Sequence, residues 1–169
     1  MRAHRRRVRA LGLVASSALA LASCSTVRVT RGVTPPVPPS SIAVLAFESP
    51  RDGDGAAAAD GCTRAALEAG LRPVERGRLD ALMREREVSR SGETGPEYYQ
   101  RLGQLTGADA FVVGTIDRGD FGSSARATAR LILSRSGDIA FMSEVGLASN
   151  SDDPAEVARR GCAAIFAQL

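Results

Sequence analysis

At 169 residues the chain is long enough for one domain with its own core, and its 22 basic and 19 acidic side chains give a formal charge of +3. Every basic residue is an arginine and the single histidine is His4, so the chain beyond its first residues has neither imidazole nor lysine for base, nucleophile or metal chemistry. With no glycine-rich phosphate loop, no CxxC pair and no nucleophile elbow, the residues point away from an enzyme, a metal site or a bound cofactor.

The chain opens as an export signal. Arg2, Arg5, Arg6, Arg7 and Arg9 form a basic start, and Ala10 to Ala22 is an apolar stretch ending in small residues. That stretch falls short of the roughly 20 residues that span a bilayer, so residues 1–23 read as a cleaved signal peptide. Leu21-Ala22-Ser23-Cys24 resembles the bacterial lipobox, which implies lipidation at Cys24; the alternative is an ordinary secretory signal with an unrelated cysteine. Ser25 follows in place of an aspartate, which by the same resemblance implies the periplasmic face of the outer membrane. The leader takes five arginines and no acid with it, leaving 17 arginines against 19 carboxylates. The basic pI therefore belongs to the leader, and no concentrated basic face remains for nucleic acid.

Residues 24–40 read as a tether. Pro35, Pro36, Pro38 and Pro39 favour an extended polyproline path, so the tether reaches about 50 Å at most at ~3.1 Å per residue. Residues 41–169 then form one α/β domain.

Ile42-Ala43-Val44-Leu45-Ala46-Phe47 is a continuous apolar run of the kind buried on both sheet faces. Asp52-Gly53-Asp54-Gly55 is a turn suited to capping a helix over Ala56 to Gly70, whose inner face holds Ala59, Cys62, Ala66 and Leu67. A short strand at Leu71 to Glu75 closes a βαβ unit. Leu79, Leu82 and Met83 recur at helical spacing over Arg76 to Glu87, and a second helix opens at Pro96 with Tyr98, Leu102 and Leu105 on one side. Gly107 ends it, and Ala108 to Ile116 is a second buried strand.

Two alternating strands follow, with Ala125 to Leu133 and Ile139 to Leu147 joined by a loop whose Gly137 suits the left-handed region. Ser143 is the polar exception on the apolar side. Asp153, Pro154 and Glu156 mark the start of a last helix with Val157, Gly161, Ala164 and Ile165 facing inward. The expected order puts 42–47 between 71–75 and 108–116, with the hairpin beyond and helices on both faces.

Cys62 and Cys162 remain once Cys24 is lipidated. In an oxidising compartment the pair reads as a disulfide, or else as two buried thiols on helices of opposite sheet faces. Arg126 and Arg130 share one strand face and could meet an acidic partner, or form a solvated face; Arg159 and Arg160 follow on the last helix. Arg118-Gly119-Asp120 matches an adhesion tripeptide and reads as chance.

The first apolar strand ending in Phe47, Val74-Glu75-Arg76 with Leu79, Leu82 and Glu85, the break at Ser91-Gly92, Leu102-Gly103, and Gly107-Ala108-Asp109-Ala110-Phe111-Val112-Val113-Gly114 come in a characteristic order. Together with the lipobox they resemble the CsgG-like family of outer-membrane lipoproteins, with LpoB, PelC and the TolB N-terminal domain among its relatives. The resemblance covers about residues 41 to 148. It implies a mixed sheet covered by helices, a lipid anchor, no enzymatic activity, no cofactor and frequent homo-oligomers.

The pore hairpins of CsgG itself do not carry over, because no segment such as Asp117 to Ser124 supplies paired strands of about 9–11 residues. The expected function is thus a non-enzymatic structural or accessory subunit of an envelope secretion or assembly system, held to the membrane by lipid and working through envelope protein partners. The alternative is an LpoB-like activator of a peptidoglycan synthase, a penicillin-binding protein.

Overall fold

The computed structural model describes residues 26–75, 77, 79, 81, 95–118, 126–147 and 152–169. Its centre is a six-stranded mixed sheet in the order β1-β6-β5-β4-β2-β3. The strands are β1 (Val27–Arg31), β2 (Ser41–Val44), β3 (Arg72–Pro73), β4 (Ala110–Asp117), β5 (Arg126–Leu133) and β6 (Ile139–Gly146). β2 runs parallel to both β3 and β4, pairing Ile42 with Ala110 and Val44 with Val112, while β4, β5, β6 and β1 are successively antiparallel. The expected placement of β2 between β3 and β4, with the hairpin beyond, is what the sheet shows.

One expectation fails at the start. The stretch taken as tether is not free chain throughout, because Val27–Arg31 is built into the sheet as its outermost strand against β6. The alternation Val-Arg-Val-Thr-Arg carries that signal. Glycine turns end the elements where expected: Gly107 (φ 71°) terminates the second helix, and Gly137 (φ 75°) turns the β5–β6 hairpin.

Helices α1 (Asp54–Glu68) and α3 (Pro154–Phe166) lie together on one face, over Ile42, Val44, Val112, Leu131 and Phe141. Helix α2 (Pro96–Thr106) covers the other face, where Tyr99 and Leu102 pack with Ala43, Phe111 and Ile132. Its buried side is Tyr99, Leu102, Gly103 and Thr106, one residue off the expected Tyr98–Leu102–Leu105 stripe, whose outer members are half-buried. Gly114 interrupts the apolar run of β4 because the Phe47 ring crosses it, and a Cβ there would strike that ring. An irregularity in the β5–β6 register beside Leu131 and Ile132 changes the phase of β6. Ala140 and Phe141 are both buried in consequence, and Ile139 turns outward instead of inward.

Leu79 is buried in the second core, while Leu82 and Met83 of the same expected helix lie outside the described residues.

Candidate functional site

Helices α1 and α3 pack extensively and closely against each other. Small residues make it so: Gly61 meets the backbone of Ala155 so closely that a Cβ could not be added. This approach brings Cys62 and Cys162 face to face, fully buried, with Cα atoms 5.4 Å apart and their sulfurs joined in a disulfide. The reading that set the two cysteines on opposite faces of the sheet is therefore corrected, since both helices share one face. Arg159 adds a polar clasp at the rim. Its guanidinium donates to both carboxylate oxygens of Glu156 (2.8 and 2.9 Å) and to Glu68 on α1 (3.1 Å). These contacts, chiefly the hydrogen bonds from Arg159, hold the Glu156 carboxyl below its ordinary pKa, so Glu156 is engaged with Arg159, and the helix is capped by the Asp153 side chain accepting from the Ala155 N–H.

Arg118, noticed in the sequence only as part of a chance tripeptide, ties the ends of three elements together. Its Nε and Nη2 both donate to Asp54 (2.9 Å each) at the start of α1, and Nη1 donates to the carbonyl of Asp152 just ahead of α3. Arg118 is buried. The expected side-chain cap on α1 is absent from this arrangement: Gly53 is the N-cap, in a left-handed conformation (φ 85°), and Asp54 turns to the arginine instead.

Arg126 and Arg130 do share the β5 face that looks away from α1 and α3, with Thr128 between them. They differ in setting. Arg126 is exposed and ion-paired with Glu144 of β6 (3.4 Å), whereas Arg130 is half-buried and close enough to α2 for its charge to act on Tyr99. Burial pushes the Tyr99 hydroxyl above its ordinary pKa, with Arg130 opposing and Glu48 adding to the rise. Thr115 and Thr128 share a hydrogen bond across the strands (2.8 Å). This is a polar sheet face on which the charge of Arg126 is paired with Glu144.

At the other end of the strands, the proline-rich segment runs past the β5–β6 hairpin on its way to β2. Asp109, just before β4, accepts hydrogen bonds at Oδ2 from the N–H and hydroxyl of Ser40 and from the N–H of Ser41, each 3.0 Å. Burial alone would raise its pKa, but these three donors and the Arg72 charge outweigh it and hold the carboxyl below its ordinary value. Between the strap and the hairpin lies a groove of about 550 Å³ lined by Val33, Pro36, Val37, Leu133, Arg135 and Asp138. Asp109 stood in the sequence only as one letter of a family pattern; its place between a glycine-ended helix and a buried strand was the available signal.

Among the described residues there is no cluster of His, Cys, Asp and Glu that could hold a metal, and no helix is long and apolar enough to cross a membrane. Cys24 lies outside the described residues.

Comparison with known proteins agrees with this architecture. The family model described as curli production assembly/transport component CsgG matches residues 65–157. Comparison with curated proteins gives no match. Among solved structures, a PelC dodecamer from Paraburkholderia phytofirmans is similar at TM-score 0.54 and 14% identity, covering 86% of this chain and 98% of that one. The lipoprotein GNA1162 from Neisseria meningitidis is similar at TM-score 0.55 and 19% identity, over 77% and 96% of the two chains. The LpoB C-terminal domain from Escherichia coli follows at TM-score 0.53 and 16% identity, over 69% and 88%. At these identities the likeness is one of fold.

Proposed function

The chain belongs to the CsgG family, and from that premise we propose that it is a non-enzymatic lipoprotein subunit, structural or accessory, of a cell-envelope secretion or assembly system. It is anchored through acylated Cys24 on the periplasmic face of the outer membrane and works by contact with envelope proteins, with copies of itself among the candidates. One observation carries the reading: more than half of the chain matches a family described as an assembly/transport component, behind a lipobox-like Leu21-Ala22-Ser23-Cys24. The polar face around Arg126, Thr128 and Arg130 and the strap groove supply contact surfaces. The solved PelC neighbour is a dodecamer, which favours a ring as the form to look for.

An LpoB-like role in activating a penicillin-binding protein has the support of the shared fold alone. It has less support from reach, because the first strand starts at Val27, only three residues after Cys24. The test is mass and stoichiometry of the detergent-extracted lipoprotein by light scattering, with capture of partners from crosslinked envelopes. A stable ring co-purifying with envelope assembly components is the expected result. A strict monomer captured with a peptidoglycan synthase would replace it by the alternative.

A further inference from the structure

Among the described residues β1 is the outermost strand on its side of the sheet, and its outward backbone groups have no ladder partner there. The opposite edge is protected differently: β3 is two residues long and ends in Pro73. All five residues of β1 are exposed. Among the described residues, the exposed large hydrophobic side chains are Val27, Val29, Val33, Val37, Leu67 and Ile139. Val27, Val29, Val33 and Ile139 lie on or beside this one edge, where the Val33 N–H donates to the Ile139 carbonyl (3.0 Å). Arg28 stands among them, whereas the Arg31 guanidinium lies over the Phe141 ring and donates to Gln168 (3.3 Å), and no carboxylate occurs in the chain before Glu48. The carboxylate facing this strand in register is Glu144, opposite Arg28.

The chain upstream fixes where this edge can go. Thr26 is held beside Gly146, whose N–H donates to the Thr26 carbonyl (3.4 Å), and Cys24 is two residues earlier. Two residues reach about 7 Å at most. An acylated Cys24 therefore leaves the start of β1 no room to stand away from the headgroups.

We propose that the free β1 edge, with Val27, Val29, Val33 and Ile139 around Arg28, rests on the bilayer at headgroup depth. This rests on the reading that Cys24 is acylated. Arg28 meets anionic headgroups, the valines enter the boundary of the acyl region, and interfacial water satisfies the unpaired backbone groups that hydrocarbon could not. The bilayer thereby covers the strand that would otherwise recruit another chain.

The test uses the full lipoprotein at a single copy per vesicle, in phosphatidylethanolamine containing phosphatidylglycerol. A fluorophore is placed through Val29→Cys, with Leu67→Cys as the control on α1 and the Cys62–Cys162 pair left oxidised. The label at 29 is expected to be quenched by headgroup-attached nitroxide lipids and shielded from aqueous iodide, with the label at 67 showing the reverse. Arg28→Gln is expected to lower the ratio of docked to undocked edge about fivefold. A label at 29 open to iodide overturns the proposal, and one shielded from iodide yet untouched by the lipid quencher shows a protein cover and overturns it too. Mass spectrometry of the same sample separates the premises. Unacylated Cys24 defeats both the anchoring and the docking, whereas acylated Cys24 without lipid quenching defeats the docking alone.

Discussion

The carboxylate of Asp109 accepts hydrogen bonds from both the backbone N–H and the hydroxyl of Ser40, each at 3.0 Å, and so pins the end of the proline-rich strap to the mouth of β4. It works as a helix N-cap does, satisfying donors at the entry to β2 that the parallel ladder leaves open. Asp109→Ala is expected to cost about 1 kcal/mol, on the scale of a lost N-cap at an exposed site. The pH dependence has a definite sign. The folded-state pKa lies below the ordinary carboxylate value, so the contribution is complete above that value and fades as pH falls below it, through the folded pKa. Urea unfolding at neutral pH and in acid checks both: the gap between wild type and Asp109→Ala should narrow in acid.

The Cys62–Cys162 bond closes a loop with a sequence separation of 100 residues. In the chain-entropy account a crosslink over that span stabilises by about 4.7 kcal/mol, chiefly by restricting the unfolded chain. Lipoprotein acylated at Cys24 and denatured without reductant should therefore show no free thiol, and adding reductant should shift the urea midpoint sharply downward. Two free thiols in that titration would refute the bond. Cys62→Ala with Cys162→Ala should unfold at the reduced protein's midpoint or above it, since alanine fits where α1 and α3 already approach through small residues.

Much of this architecture is legible from periodicity alone, because buried strands such as Ile42–Val44 and Ala110–Ile116 and a Pro-started, Gly-ended helix such as α2 carry local signals. The order of β2 between β3 and β4 follows from the βαβ connection. What periodicity misses is set by distant contacts. Val27–Arg31 alternates like a strand, but only its partner β6, more than a hundred residues on, makes it one. The pairing of Arg118 with Asp54 joins residues 64 apart, and nothing local to either announces it. Ile139 follows the inward period and still faces out, because the register irregularity opposite it is a property of the strand pair.

Ser143 is the polar exception of β6, and it is buried under Gly161 of α3 with no hydrogen-bond partner for its hydroxyl among the described residues. A buried hydroxyl without a partner costs about 1–3 kcal/mol in desolvation. Ser143→Ala keeps the small volume that the close approach of Gly161 demands and removes that penalty. It is expected to raise stability by about 1 kcal/mol, measured as a higher urea midpoint at unchanged slope. A lower midpoint would mean that the hydroxyl is satisfied in solution.

Arg118 and Asp54 make a largely buried ion pair at the junction of β4, α1 and the lead-in to α3. Removing one partner strands the other charge, so Arg118→Ala should cost about 3 kcal/mol, at the low end for broken buried pairs because Asp54 keeps some exposure. Arg118→Met tests where the cost arises. It restores the aliphatic packing of the stem but leaves Asp54 without its counter-charge and the Asp152 carbonyl without this donor, so it should recover only a minor part of the loss. Adding Asp54→Asn to Arg118→Met removes the stranded charge and is expected to bring stability back toward wild type. A double-mutant cycle on thermal midpoints reads this directly: a coupling energy near zero would show that the pair is held apart by solvent and contributes nothing to the junction.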